Sequence, residues 1–258
     1  MNSPTSTSDE IVALNTSHLI TEDDEPVDNI LSEKQMRLLT EPLYTSWKPG
    51  RPFLAAANVG VFAALNRPPV VPDVFVSLDV TVGSDWWAQE NRSYFLWEHG
   101  KAPDVVVEIV SNKKGGELDR KWKEYCRIGV PHYVVYDPAC QIQDGELAYY
   151  QLQGGVYQKS EPIAFSGLDL RLCMWSGTFE GTGDRWLRWA DGDGNVLLTG
   201  AELAEEERQR ADQEAQRANH EAQRANHEAQ RANHEAQRAE ALAGKLRAMG
   251  IDPDADLG

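Results

Sequence analysis

Apolar residues recur along this chain with two periods, and the switches between them predict the order of its elements. Met36, Leu38, Leu39, Leu43 and Trp47 fall on one helical face, with Ser32 and Gln35 as a capping pair and Pro49-Gly50 as a stop. Phe53 to Leu65 reads as a strand running into a turn or short helix, and Pro69 to Val82 as a strand carrying Asp73 and Asp79. Val105 to Val110 and His132 to Tyr136 are continuous β-branched and aromatic runs, the pattern of strands covered on both faces. Between them Asp119 to Ile128 is amphipathic, turning Trp122, Tyr125, Cys126 and Ile128 inward, and Gly129 supplies the stop. Leu147 to Leu152 and Val156 to Ile163 alternate around Gly154-Gly155, which predicts a hairpin. Together these elements predict an α/β fold, a mixed β-sheet flanked by helices.

The ends of the chain read differently. Residues 1–27 are rich in Ser, Thr, Asp and Glu and are expected to form a flexible leader ahead of a core domain over 28–175. Residues 176–200 read as a hairpin or linker, with Asp191 to Asn195 as its turn, and 250–258 as a tail. From residue 201 the unit Ala-Asn-His-Glu-Ala-Gln-Arg repeats in tandem at 218–224, 225–231 and 232–238. Alanines from Ala211 to Ala239 alternate steps of four and three, the spacing of a coiled-coil seam. Arg217/Glu221, Arg224/Glu228 and Arg231/Glu235 support the helix locally. A helix over 201–249 is therefore expected, roughly 70 Å long at 1.5 Å per residue. It would join copies of the chain into a homo-oligomer, a dimer, or act as a spacer. Alanine buries little area, so such association is weak, or close and antiparallel, with Leu242, Leu246 and Met249 as an anchor at its end.

Charge narrows the function. The chain has 25 Lys+Arg against 41 Asp+Glu, a net of −16. This excludes a protein that coats nucleic acid by general basicity, because phosphate neutralisation needs clustered cations. A local basic patch beside a metal is still allowed. Cys126, Cys140 and Cys173 form no CxxC pair, so neither a disulfide framework nor a zinc–thiolate site is expected, and a reducing cytoplasm fits. No stretch of about 18 apolar residues appears, so no membrane association is expected.

The residues that carry chemistry interrupt the apolar strands. Asp73 follows Pro72 at the mouth of one strand, and Glu108 lies within the run Pro103-Asp104-Val105-Val106-Val107-Glu108-Ile109-Val110. A carboxylate inside such a run needs a partner, because burying it unpaired costs several kcal/mol or shifts its pKa. A divalent cation is one such partner. Mg2+ takes oxygen ligands, commonly one or two carboxylates plus water. Phosphodiester hydrolysis at neutral pH uses such an ion to polarise the phosphate and to lower the pKa of the attacking water. A nearby lysine can orient that water and stabilise developing charge. Asp73, Glu108 and Lys121 supply these three parts.

In order and spacing the stretch resembles the PD-(D/E)XK nuclease superfamily, and more closely its Uma-two branch of restriction-endonuclease-like proteins. The resemblance rests on Pro72-Asp73, on Pro103-Asp104 through Glu108 to Ser111, and on Lys121 with Tyr125. It continues through Gly129-Val130-Pro131, Tyr133 and Asp137-Pro138, and covers roughly residues 28–175. The closing Leu246 to Pro253 is also similar. The resemblance implies a restriction-endonuclease-like core, Mg2+ (or Mn2+) held by Asp73 and Glu108, catalytic assistance from Lys121, and nucleic acid, DNA foremost, as substrate. One departure stands out: the superfamily lysine should lie two residues after Glu108, where this chain has Val110. In this branch the lysine is expected on the following helix, Lys121 first and Lys123 second.

Several alternatives compete. Asp104 lies four residues before Glu108, about 13 Å away along an extended strand, too far to share one ion, so Asp73 is preferred. Both aspartates could instead cap strand starts. A further acid is expected from Glu25 or Glu41. The aromatic stretch 83–100, with Trp86, Trp87, Tyr94, Phe95 and Trp97, is either a flap packed on the core or a base-stacking platform. Asp191 to Glu202 imitates a calcium loop but has Val196 at the position that needs Gly. His220, His227 and His234 sit about 10 Å apart along the helix, too far for one metal. The competing functional reading is a catalytically silent module of the same fold that assembles through 201–249.

Overall fold

The computed structural model describes residues 29–111, 117–161 and 164–250. The leader expected over 1–27, Glu25, and all but the first residue of the expected tail lie outside the described residues. The first helix, α1 (Ile30–Ser46), starts earlier than the Ser32 signal. Asn29 is its cap, its Oδ1 accepting from Ser32 N at 2.8 Å, and Ser32 is buried within the first turn. Asn satisfies an orphan helix donor as well as Ser does, so the geometry of the preceding residue decides the boundary.

Among the described residues, one sheet of six strands forms the centre. Its members are β1 (Phe53–Ala57), β3 (Val74–Leu78), β5 (Val105–Ile109), β6 (His132–Tyr136), β7 (Leu147–Gln153) and β8 (Val156–Ser160), adjacent in that order. Only β5 and β6 pair in parallel within this sheet. A parallel pair needs a crossover rather than a hairpin, and the crossover contains α3 (Trp122–Ile128). A π-helical turn, Glu117–Lys121, leads into α3, and Gly129 ends it in the left-handed conformation, φ 87°. The hairpin β7–β8 turns at Gly154-Gly155, both with positive φ as the tight two-residue turn requires.

Both faces of the sheet are covered, which explains the unbroken apolar runs of its central strands. On one face Met36, Leu39 and Leu43 of α1 pack against Val74, Val76, Val105, Val107 and Ile109. On the other, Tyr125 and Val130 pack with Phe75, Val106, Val110, Tyr133 and Val135. Each such buried side chain contributes roughly 1.5–3 kcal/mol. One residue in β5 is fully buried without being apolar: Glu108.

Three stretches differ from the sequence expectation. The strand expected over 69–82 is ordered as β3 only from Val74 to Leu78, and Asp79 beyond it turns away with φ 57°. The aromatic stretch is divided: Tyr94 and Phe95 form β4 (Tyr94–Phe95), buried and parallel to the two-residue β2 (Val61–Phe62), and α2 (Leu96–His99) follows. Trp86 and Trp87, by contrast, are 67% and 87% exposed. The hairpin expected around Asp191–Asn195 forms, but a longer one precedes it and belongs to the core. Its strands are β9 (Leu170–Phe179) and β10 (Thr182–Asp191), so residue 175 falls inside a strand, and Leu187 and Trp189 join the α1 side of the sheet. After the turn at Asp191–Asn195 the chain pairs back on β10, Ala190 with Val196.

From Ala201 on, the described residues form a second unit. Its helix, α4 (Gly200–Ala248), has no buried residue, and Arg208–Glu205 and Arg210–Glu206 pair along it at 2.7 and 3.0 Å. No described helix is long and apolar enough to cross a membrane.

Candidate active site

The β3–β5 pairing brings the two acids together. The strands are antiparallel with Val74 opposite Val107, so one further step along the register sets Asp73 opposite Glu108. Directly opposed residues share a face, with Cβ atoms roughly 5 Å apart. That face is the α3 side: Phe75 and Val106, two residues from Asp73 and Glu108 respectively, both lie in its cluster. Asp73 is half-buried and Glu108 fully buried, so the pair runs from the sheet interior toward solvent.

Helix α3 and the turn before it close the site. Lys121 and Tyr125 stand four residues apart, one helical turn, and both point at Glu108. Lys121 Nζ donates to Glu108 Oε2 at 2.6 Å, and Tyr125 Oη donates to Oε1 at 2.5 Å. Lys121 keeps 16% of its side chain exposed, against none for Glu108. Lys123 points elsewhere: it is exposed and pairs with Asp119 at 2.6 Å. Val110, at the position where the superfamily pattern has lysine, is buried in the apolar cluster.

Burial, and after it the Asp73 carboxylate, push the Glu108 carboxyl up to about 8, against the pull of Lys121 and Tyr125. Burial also raises Tyr125 well above the ordinary tyrosine range, with the Glu108 charge adding to it, so the phenol remains a donor. Among the described residues, the cluster sets two carboxyl groups, Asp73 and Glu108, against the Lys121 ammonium.

The two Pro-Asp dipeptides turn out to be structurally equivalent. Asp73 Oδ2 accepts from Ile109 N at 2.6 Å, at the end of β5, and Asp104 Oδ2 accepts from Leu78 N at 2.7 Å, at the end of β3. Each carboxylate thus caps the far end of its neighbour, clamping the antiparallel pair at both ends. The expected caps of strand starts are therefore, for both residues, caps of the neighbouring strand's end. What separates them is the surroundings. Asp104 pairs with Lys101 at 2.6 Å, at the end of the strand pair away from Glu108, whereas Asp73 faces Glu108.

Other candidates lie apart. Glu41 is on α1, across the sheet from Glu108, and accepts from Thr45 Oγ1 and Gly200 N at 2.6 and 2.8 Å. It is not part of this cluster. Asp79 pairs with Arg51, and Asp191 is bound by Asn195 within its own turn. A cleft of about 450 Å3 lined by Trp47, Arg51, Asp169 and Asp191 lies on the α1 side, and two of its charged groups are those just described as paired. The three cysteines are free. The partnership of Tyr125 with Glu108 was not anticipated from the sequence; its only signal there is the spacing of four from Lys121.

Among the described residues no three His, Cys, Asp or Glu side chains are placed to share a metal. The donor set nevertheless suits Mg2+ or Mn2+, hard ions satisfied by one or two carboxylates with water in their other positions. Comparison with curated proteins gives no match. The family model described as "Putative restriction endonuclease", Uma2, matches residues 25–171, which include α1, the strands β1 to β8 and every residue of the cluster. The match covers more than half of the chain, and the chain belongs to the Uma2 family.

Proposed function

We propose that this protein is an endonuclease that hydrolyses phosphodiester bonds of nucleic acid, DNA foremost, with Mg2+ or Mn2+ as cofactor. Asp73 and Glu108 hold the ion, and Lys121 assists the attacking water. The observation that carries the reading is the contact of Lys121 Nζ with Glu108 Oε2, on the sheet face where Asp73 stands opposite. A bound divalent ion supplies Lewis-acid polarisation of the phosphate and a water of lowered pKa. Asp73 and Glu108 orient from two adjacent strands, each fixed by backbone pairing, so the donor oxygens are held before any ligand arrives. The Lys121 ammonium, on a partly buried side chain beside Glu108, can stabilise charge developing on a bound phosphate.

Cleavage assays with Mg2+ on single- and double-stranded DNA test the proposal. Activity is expected in the wild-type chain and is lost in Asp73→Ala and in Glu108→Ala. Activity that survives both substitutions refutes this site.

The exposure of α4 favours a second role on the same chain, self-association into a dimer through the alanine seam of 201–249. If the wild-type chain neither binds Mn2+ nor cleaves, yet forms stable oligomers through that segment, the reading becomes a silent assembly module.

A further inference from the structure

The fold treats the two oxygens of Glu108 differently. Oε2 meets an amine at the edge of the site, since Lys121 Nζ donates to it at 2.6 Å from a partly exposed side chain. Oε1 meets a fixed group: Tyr125 Oη donates to it at 2.5 Å, and Tyr125 is fully buried. The tyrosine ring is held against Tyr133, centroids 5.3 Å apart, within the apolar cluster that contains Val106 and Val110. Lys121 can swing outward along a flexible stem, whereas Tyr125 cannot leave without emptying part of the core. One oxygen is therefore permanently committed and the other is exchangeable.

We propose that Tyr125 sets the metal preference of the site by reserving Oε1, so that Glu108 offers a cation a single oxygen, Oε2. This rests on the reading of Asp73 and Glu108 as a metal site. Ion chemistry gives the consequence. Mg2+ demands near-octahedral order and suits carboxylates that give one oxygen each, whereas Ca2+ accepts six to eight ligands and readily takes both oxygens of one carboxylate. A Glu108 locked by a charge-assisted hydrogen bond on Oε1 withholds from Ca2+ the second oxygen it would use and withholds nothing from Mg2+. Tyr125 is fully buried behind Glu108 and is a positioning residue acting through it. Were the hydroxyl only a means of satisfying a buried acid, its removal would change stability and leave ion preference alone.

The test is calorimetric titration of the full chain with Mg2+ and, separately, with Ca2+, for the wild type and Tyr125→Phe. The phenylalanine keeps the ring and its packing and removes only the hydroxyl. Tyr125→Met, which fills the space with a flexible side chain and also lacks a donor, repeats the test if the first variant does not fold. The Kd ratio of Ca2+ to Mg2+ is expected to fall by about tenfold or more relative to wild type, the scale of one charge-assisted hydrogen bond to a carboxylate. An unchanged ratio in a variant that still binds both ions overturns the role of Tyr125 and leaves the metal site standing. Absence of binding in the wild-type chain overturns the metal site and this inference with it.

Discussion

Replacing Glu108 by glutamine should remove the pH dependence that this one buried group imposes on the metal-free protein. Burial and the Asp73 carboxylate raise the Glu108 carboxyl from 4.5 to about 8. In the folded chain the group keeps its proton over an interval in which the unfolded chain has lost it. Its contribution to stability is therefore fully present below about pH 4.5, declines as pH rises, and is gone above about pH 8. At about 1.36 kcal/mol per pH unit the displacement is worth about 5 kcal/mol. Glutamine keeps the shape of the side chain, can still accept from Lys121, and does not titrate. The assay is urea unfolding in the presence of a chelator, from pH 4.5 to 8.5, for wild type and Glu108→Gln. Taking the difference between the two curves cancels other titrating groups, among them His99 and His132, which burial lowers. Across the window the variant should gain on wild type by about 5 kcal/mol. Parallel curves would show that Glu108 is not the buried, proton-holding group described above, and the reasoning would fail.

Other outcomes follow from the same geometry. Lys121→Met should lower cleavage roughly 10²- to 10³-fold, the scale for losing one preorganised group aimed at developing charge, while Mn2+ titration shows tighter binding because a competing ammonium is gone. Asp104→Ala should cost about 1–3 kcal/mol in urea unfolding by leaving Leu78 N without its cap, with Mn2+ binding unchanged, whereas Asp73→Ala should abolish that binding. Substituting Trp86 and Trp87 together by alanine should weaken single-stranded oligonucleotide binding by about tenfold or more, since each stacked base contributes about 1–3 kcal/mol; unchanged fluorescence anisotropy curves would remove the stacking role. Ala225→Glu with Ala232→Glu should turn a light-scattering dimer into a monomer, and a wild-type chain already monomeric at micromolar concentration rejects the seam as an interface.

Much of the central architecture was legible in the sequence because its physics is local. Continuous β-branched runs predicted the strands β5 and β6, Gly154-Gly155 their neighbouring hairpin, and Gly129 the end of α3. The geometric meeting of Asp73, Glu108 and Lys121 followed from residue chemistry together with the family resemblance rather than from spacing alone. What stayed hidden depends on contacts between distant segments. The two-residue strands β2 and β4 are too short to show any period, and their parallel pairing is fixed by tertiary packing. Trp86 and Phe95 look alike in a sequence, yet one is exposed and the other buried. The reciprocal caps of Asp73 and Asp104 require the β3–β5 register, which no single strand encodes. The same is true of Tyr125, whose helical position predicts burial but not the acid it meets.

The most direct test of the account is a crystal of the wild-type protein soaked in Mn2+, with anomalous scattering used to place the ion. The account predicts one peak between the Asp73 carboxylate and Glu108 Oε2, with the Lys121 amine beside it. A peak elsewhere on the chain, with the Asp73–Glu108 pair empty at saturating Mn2+, contradicts it.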